Sequence, residues 1–154
     1  MFAMTALQMN DGEGGDWLDL AELTREVGGD VHELWLRAIF GMAIGNLDNH
    51  LRNHAFLMSQ HGWELSPAFD TNPEPLGKTS DVFQLSLFGE NELDVQAFKT
   101  KRALELFGIT QNVCDEAFGK LLAVLKNAPR EARKARLDAK SIEVMSSRFD
   151  AFSS

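Results

Sequence analysis

Apolar positions recur at helical spacing along most of this chain, and the main interruption is a polar stretch near its middle. Trp17 to Val27 reads as a short helix stopped by Gly28-Gly29. Asp30 caps the next helix, with Glu33 three residues on completing a capping-box-like start. That helix, Val31 to about Ile44, is apolar on nearly every face (Val31, Leu34, Trp35, Leu36, Ile39, Phe40, Met42, Ile44), as a buried helix must be. From Asp94 onward the helical pattern returns. Val95, Phe98, Leu104, Leu106 and Phe107 line a helix that Gly108 terminates, and Thr110 caps another. There Val113, Ala117, Leu121 and Val124 form one stripe, with Cys114, Phe118, Leu122 and Leu125 beside it. Pro129 suits the first position of a basic helix, Arg130 to Lys140, and Ser141 caps a last one carrying Ile142, Met145, Phe149 and Phe152.

Between these runs the period changes. Residues 1–9 read as a short strand or the end of one, and Asn10 to Asp16 as a turn. The glycines of that turn invite a phosphate-loop reading. Its acids Asp11, Glu13 and Asp16, and the lack of a lysine, argue for a solvated turn instead. Ala55–Met58 and Glu64–Phe69 look like two strands joined by Ser59-Gln60-His61-Gly62, with Pro67 keeping the second short or at an edge. Asn72 to Lys78 is an irregular connection, Val82 to Phe88 another strand, and Gly89-Glu90-Asn91 a turn. The expected class is α+β, mainly α-helical, with a small β-hairpin after the polar stretch. The tryptophans Trp17, Trp35 and Trp63 read as core or turn anchors.

Composition narrows the setting. A chain of 154 residues fits one domain, and 44% hydrophobic with 25% charged residues is ordinary for a globular protein. The net charge of −8 argues against direct nucleic-acid binding, which needs basic surface to displace counterions. The basic run Lys126 to Lys140 reads as a solvated helix face, with an acidic partner left open. One cysteine, Cys114, rules out an internal disulfide and suits a reducing cytoplasm. No apolar run reaches the length of a membrane span and no signal peptide is evident, so a cytoplasmic protein is expected.

The chemistry concentrates between Gly45 and Asp70. Asp48 and Asn53 form D-x-x-x-x-N, the spacing of a protein-kinase catalytic loop, where the Asp accepts the substrate hydroxyl and the Asn holds magnesium. Phosphoryl transfer needs a carboxylate to orient the nucleophile and hard oxygen ligands for the ion on the triphosphate. Asp70, after the hairpin, stands where a kinase places its second metal ligand. The spacing alone is weak, because polar loops often carry Asp and Asn as caps. His50 and His54 would chelate zinc if helical, but Gly45, the asparagines and Asp48 favour a loop, and no third soft ligand lies nearby. His50 reads better as a hydrogen-bonding brace, and Arg52 as one half of a structural ion pair rather than a phosphate contact.

The run N-L-D-N-H-L-R-N-H-A-F-L, followed by W-E-L-S-P-A-F-D-T-N-P, resembles the catalytic and metal-binding segments of HipA-like serine/threonine kinases, toxins of bacterial toxin–antitoxin modules. W-L-D-L-A-E-L and A-L-E-L-F-G-I-T extend the resemblance to that family's C-terminal lobe, across most of the chain. It implies a kinase-like C-lobe over residues 1–154, with Asp48 as catalytic base, His50 beside it in the catalytic loop, and Asn53 and Asp70 as magnesium ligands. His50 stands where general protein kinases carry lysine, and Asp70 precedes Thr71-Asn72 rather than Phe-Gly. Magnesium and ATP are the implied cofactors. A protein hydroxyl is the implied substrate, and a helix-turn-helix antitoxin the implied partner.

A kinase also needs a Gly-rich cover and a strand lysine over the phosphates. The first lysine here is Lys78, and the residues before Asp48 are taken up by a strand and two helices. The expectation is therefore a fragment, an excised lobe or a truncated gene product, inactive alone and completed by an N-terminal nucleotide-binding lobe. Two other readings remain: a non-catalytic antitoxin-binding module that keeps the fold, and a metal-dependent hydrolase using the Asp, His and Asn cluster.

Overall fold

Side-chain caps set most of the helix boundaries in the computed structural model, which describes residues 1–10, 12–77 and 80–152. Asp11, read in the acidic turn, and Lys78, at the end of the irregular connection, lie outside the described residues. The elements run α1 (Ala3–Ala6), β1 (Gly15–Asp16), α2 (Trp17–Glu26), α3 (Val31–Ile44), a 3-10 turn (Leu51–Asn53), β2 (Phe56–Ser59) and β3 (Gly62–Leu65). They continue with β4 (Leu85–Ser86), a second 3-10 turn (Val95–Lys99), α4 (Lys101–Phe107), α5 (Gln111–Lys134) and α6 (Ala139–Phe152). With 54% of residues helical and two small sheets, the fold is mixed α and β, as the pattern predicts.

Helix α3 is the central element, packed against α2, α4, α6 and the second 3-10 turn. Leu34, Trp35, Ala38, Ile39, Met42, Ala43 and Ile44 are buried along it. Trp17 and Trp35 are wholly buried, and the Trp35 indole N–H donates to the Phe98 carbonyl oxygen at 3.2 Å. Each such ring removes roughly 200 Å² from water, an upper estimate of about 5 kcal/mol. This core supplies the rigid platform from which the polar loop departs.

Several boundaries differ from the sequence reading, each for a local reason. Within residues 1–9, Ala3–Ala6 form the helical turn α1 in place of a strand: only Phe2 finds a bridge partner, Ala55, and beyond it Ala6 N–H and Leu7 N–H bond back to Phe2 and Ala3. The capping box is half made, since Asp30 Oδ1 accepts from Glu33 N–H while the Glu33 carboxylate pairs with Arg37 at 2.8 Å. The hairpin is tighter than read: Phe56 stands opposite Leu65 and Ser59 opposite Gly62, so a two-residue turn, Gln60-His61, replaces the four-residue connection. Of Val82 to Phe88 only Leu85–Ser86 is a strand, parallel to Gly15–Asp16.

Thr100 breaks the helix expected after Asp94, because its hydroxyl caps Ala103 N–H and its backbone is extended. Pro129 lies inside α5 instead of starting a new helix, removing one ladder bond without ending it. The buried seam of α5 is Cys114, Leu121 and Leu125, whereas Val124 is exposed. Asp138, not Ser141, caps α6: its Oδ1 accepts from Ser141 N–H at 2.9 Å.

Candidate functional site

The C-terminus of α3 launches the site. Gly45 adopts a left-handed conformation (φ 69°, ψ 42°). Asn46 N–H donates to Gly41 and Gly45 N–H to Met42, the Schellman arrangement that ends a helix with its carbonyls satisfied. The chain then enters a loop of mixed exposure: Asn46 and Asn49 are buried, His50 is half-buried and Asp48 is exposed. The Leu51–Asn53 turn follows, closed by Asn53 N–H donating to His50 at 2.9 Å.

Two of the predicted residues are brought together. Asn53 Nδ2 donates to Asp70 Oδ2 at 3.3 Å across 17 residues of chain. The hairpin between them makes this possible, and Ser66 N–H extends its pairing by donating to Ala55 at 2.8 Å. Asp70 itself is left-handed (φ 53°), and its other oxygen accepts from Asn72 Nδ2 at 2.8 Å. Asn53 thus keeps its amide oxygen free of that contact, and a carboxylate lies beside it. Magnesium takes hard oxygen ligands, one or two carboxylates beside phosphates and waters, so a carboxylate with an amide oxygen near it is a donor set of the kind that ion accepts.

Asp48 faces elsewhere. It lines a cavity of about 250 Å³ with Met4, Asn10, His50, Arg52 and Gln84. Asn53 lines another, of about 140 Å³, with Arg37, Asn46, Asn49, His54 and Thr71. One short turn therefore feeds both, Leu51 and Arg52 to the first and Asn53 to the second.

The brace assigned to His50 belongs to His54. His54 is buried, and its Nε2 lies 3.0 Å from Asn49 Oδ1, which ties the two ends of the loop together. His50 Nδ1 is buried and has no hydrogen-bond partner among the described residues. The difference is positional: His54 enters the hairpin and points into the core against Trp17 (ring centroids 5.3 Å apart, edge to face). Burial, with the positive charges of Arg37 and His50 adding to it, pushes the His54 imidazole down to about 3. It is thus neutral and, facing an amide oxygen, carries its proton on Nε2. His50 and His54 do not stand on one helix face, since they flank a 3-10 turn in extended backbone and His54 Nε2 is engaged with Asn49. No group of three or more His, Cys, Asp or Glu suited to a metal occurs among the described residues, and no helix is long and apolar enough to cross a membrane.

One residue at this site escaped the sequence reading. Arg148 of α6 is 5% exposed, donates from Nε to Glu74 O at 3.0 Å and from Nη2 to Pro75 O at 2.9 Å, and pairs with the Asp81 carboxylate. A Cβ on Gly45 would lie 2.5 Å from its guanidinium carbon. The available signal was an arginine set within the apolar stripe Ile142, Met145, Phe149, Phe152.

Comparison with known proteins agrees with the fold. A family model described as the HipA-like C-terminal domain matches residues 2–135. The chain is also similar to a protein chain in the solved complex of HipA, HipB and operator DNA from the Shewanella oneidensis MR-1 toxin–antitoxin system. That similarity has a TM-score of 0.61 and 18% identity over 91% of this chain and 34% of the other. The chain thus spans about a third of the solved chain it matches. No curated protein matches it significantly.

Proposed function

The chain belongs to the HipA-like C-terminal domain family, and from that premise we propose that it is the catalytic C-lobe of a serine/threonine kinase of a toxin–antitoxin system. In this reading residues 1–154 form one kinase-like lobe, and the parts that grip ATP lie elsewhere in the complete kinase. The observation that carries it is the Asn53–Asp70 contact, two oxygen-bearing side chains joined across the hairpin. Magnesium held by them would neutralise charge on the triphosphate oxygens.

The chain's own residues do the rest. Asp48, exposed on its cavity, orients the acceptor hydroxyl and takes its proton. His50 shapes that cavity from the catalytic loop, and His54 with Asn49 keeps the loop from sagging away from the hairpin. The left-handed Asp70 turns its carboxylate toward Asn53. The partner expected for such a toxin is a helix-turn-helix antitoxin.

The test is transfer of labelled γ-phosphate from ATP to a protein hydroxyl by the complete polypeptide. Asp48→Asn should slow transfer by about 10²-fold or more while leaving ATP binding in place. Asp70→Asn should raise the magnesium concentration needed. Unchanged rates in both variants would overturn the assignment. A second reading is a non-catalytic antitoxin-binding module. It is favoured by an apolar groove of about 410 Å³ between α3 and α5, bordered by Leu36, Phe40, Val113, Leu121 and Val124. Antitoxin binding that survives Asp48→Asn in a chain with no transferase activity would favour it.

A further inference from the structure

The segment after Asp70 has almost no regular structure. Among its described residues up to the Gly89 turn, only Leu85–Ser86 belongs to a strand. It is nevertheless tied by backbone to the end of α3 and to the loop that carries Asp48: Glu74 N–H donates to Ile44 O at 3.1 Å, and Gln84 N–H to Leu47 O at 3.1 Å. Between those points the guanidinium of Arg148 closes the arrangement. It takes the carbonyl oxygens of Glu74 and Pro75 and the carboxylate of Asp81, all from this one segment. Its other face lies against Gly45, where the α3 helix hands over to the Asp48 loop.

We infer that Arg148 is a positioning residue that fixes the Asp48 loop and the Asp70 segment relative to one another. The claim rests on the phosphoryl-transfer reading for its functional consequence and on geometry for its existence. A planar five-donor fork suits this junction, because it makes four hydrogen bonds to two carbonyls and a carboxylate while buried, one more than the three N–H groups of a lysine allow. The apolar face of α6, with Ile142 buried and Phe149 and Phe152 packed on the core, brings the fork there. Arg148 lies beyond residues 2–135, so it is not part of the matched domain pattern. The clamp acts through Asp48 and Asp70 without touching substrate.

The experiment uses the ¹⁵N-labelled chain, with Mn²⁺ as the probe and paramagnetic broadening as the readout, beside amide hydrogen exchange. Arg148→Met, Arg148→Lys and Asp81→Asn are compared, and a dispersed spectrum establishes that each variant is folded. Arg148→Met should speed exchange at the Glu74 and Gln84 amides and weaken Mn²⁺ binding at Asn53 and Asp70 about tenfold, as expected for an outer-shell support. Asp81→Asn, which leaves Arg148 in place, should give the same changes in smaller measure, and Arg148→Lys should fall between Met and the unsubstituted chain. Folded Arg148→Met with unchanged exchange at both amides overturns the clamp. Faster exchange with Mn²⁺ affinity within about twofold of the unsubstituted chain confines Arg148 to a structural role and overturns positioning. If the unsubstituted chain shows no broadening at Asn53 and Asp70, the metal reading fails by itself. Positioning then fails with it, while the exchange data still decide the clamp.

Discussion

Mild acid should destabilise this domain through His54, well before its carboxylates titrate. The side chain is 3% exposed, hydrogen-bonded to Asn49 and edge-on to Trp17. Burial first, then the charges of Arg37 and His50, push its pKa from 6.5 to about 3. In the unfolded chain the same imidazole protonates near its ordinary value of about 6.5. Between those two values the unfolded state binds a proton that the native state refuses, so stability falls as pH falls, by about 1.4 kcal/mol per pH unit. Taken from about pH 6.5 to about pH 4, the loss is on the order of 3 kcal/mol, a large share of the 5–15 kcal/mol typical of a domain. Urea midpoints followed by tryptophan fluorescence across that range read it directly. Glu116, Glu131 and Asp138 are also held low, by Lys120, by Lys134 and by Ser141. Their contribution has the same sign but begins near their ordinary range of about 4, which leaves about pH 6.5 to 5 as the histidine window. His54→Gln should be less stable at neutral pH and flatter in that window. Parallel profiles for the two proteins, or a His54 titration midpoint near 6 in the folded state, would refute the reasoning.

Two further outcomes follow from single contacts. Gly45→Ala should cost at least about 1–2 kcal/mol for the left-handed backbone alone, and more because its Cβ meets the Arg148 guanidinium, read as a lower urea midpoint. Asp16 caps α2 through Oδ1 and accepts from Ser86 Oγ and Gly89 N–H through Oδ2. Asp16→Ala should therefore cost about 2–4 kcal/mol in urea unfolding, and Asp16→Asn clearly less, because the amide oxygen still caps; equal losses would place the effect outside the cap.

The parts of the fold that sequence foretold are those encoded by short-range rules. Helices α2 and α3 were legible because the Gly28-Gly29 stop, Asp30 and Gly45 act within one turn of where they stand, whereas the Asp16 cap of α2 was read as part of a turn. The α5 start at Thr110 was legible for the same reason, while Pro129 misled, since a proline can be absorbed by a helix long enough to lose one bond. The hairpin was found but misplaced, because its alternation is weak and a shift of turn costs little in pattern terms. The pairing of Asn53 with Asp70 was suggested by the D-x-x-x-x-N spacing and the hairpin after it, and by the resemblance; apolar periodicity gives no such long-range contact.

What sequence could not give is the way the irregular stretch from Asp70 to Gly89 is held. It has few ladder bonds of its own, so beside the backbone ties to Ile44 and Leu47 its placement rests on side chains recruited from both ends of the chain. Asp16 fixes it at Ser86 and Gly89, and Arg148 fixes it at Glu74, Pro75 and Asp81. Neither residue announces this: Asp16 reads as one more acid of a solvated turn and Arg148 as one more charge on an amphipathic helix. Polar clamps of this kind are short-ranged and directional, and removing one partner leaves the other buried and unpaired. The consequence is a division of labour. Apolar burial along α3 makes the domain stable, while a few polar contacts decide whether Asp48, Asn53 and Asp70 stand in register. Substitutions at Asp16 or Arg148 should therefore disturb the site before they unfold the domain, whereas a truncation at Trp35, wholly buried on α3, should remove both together.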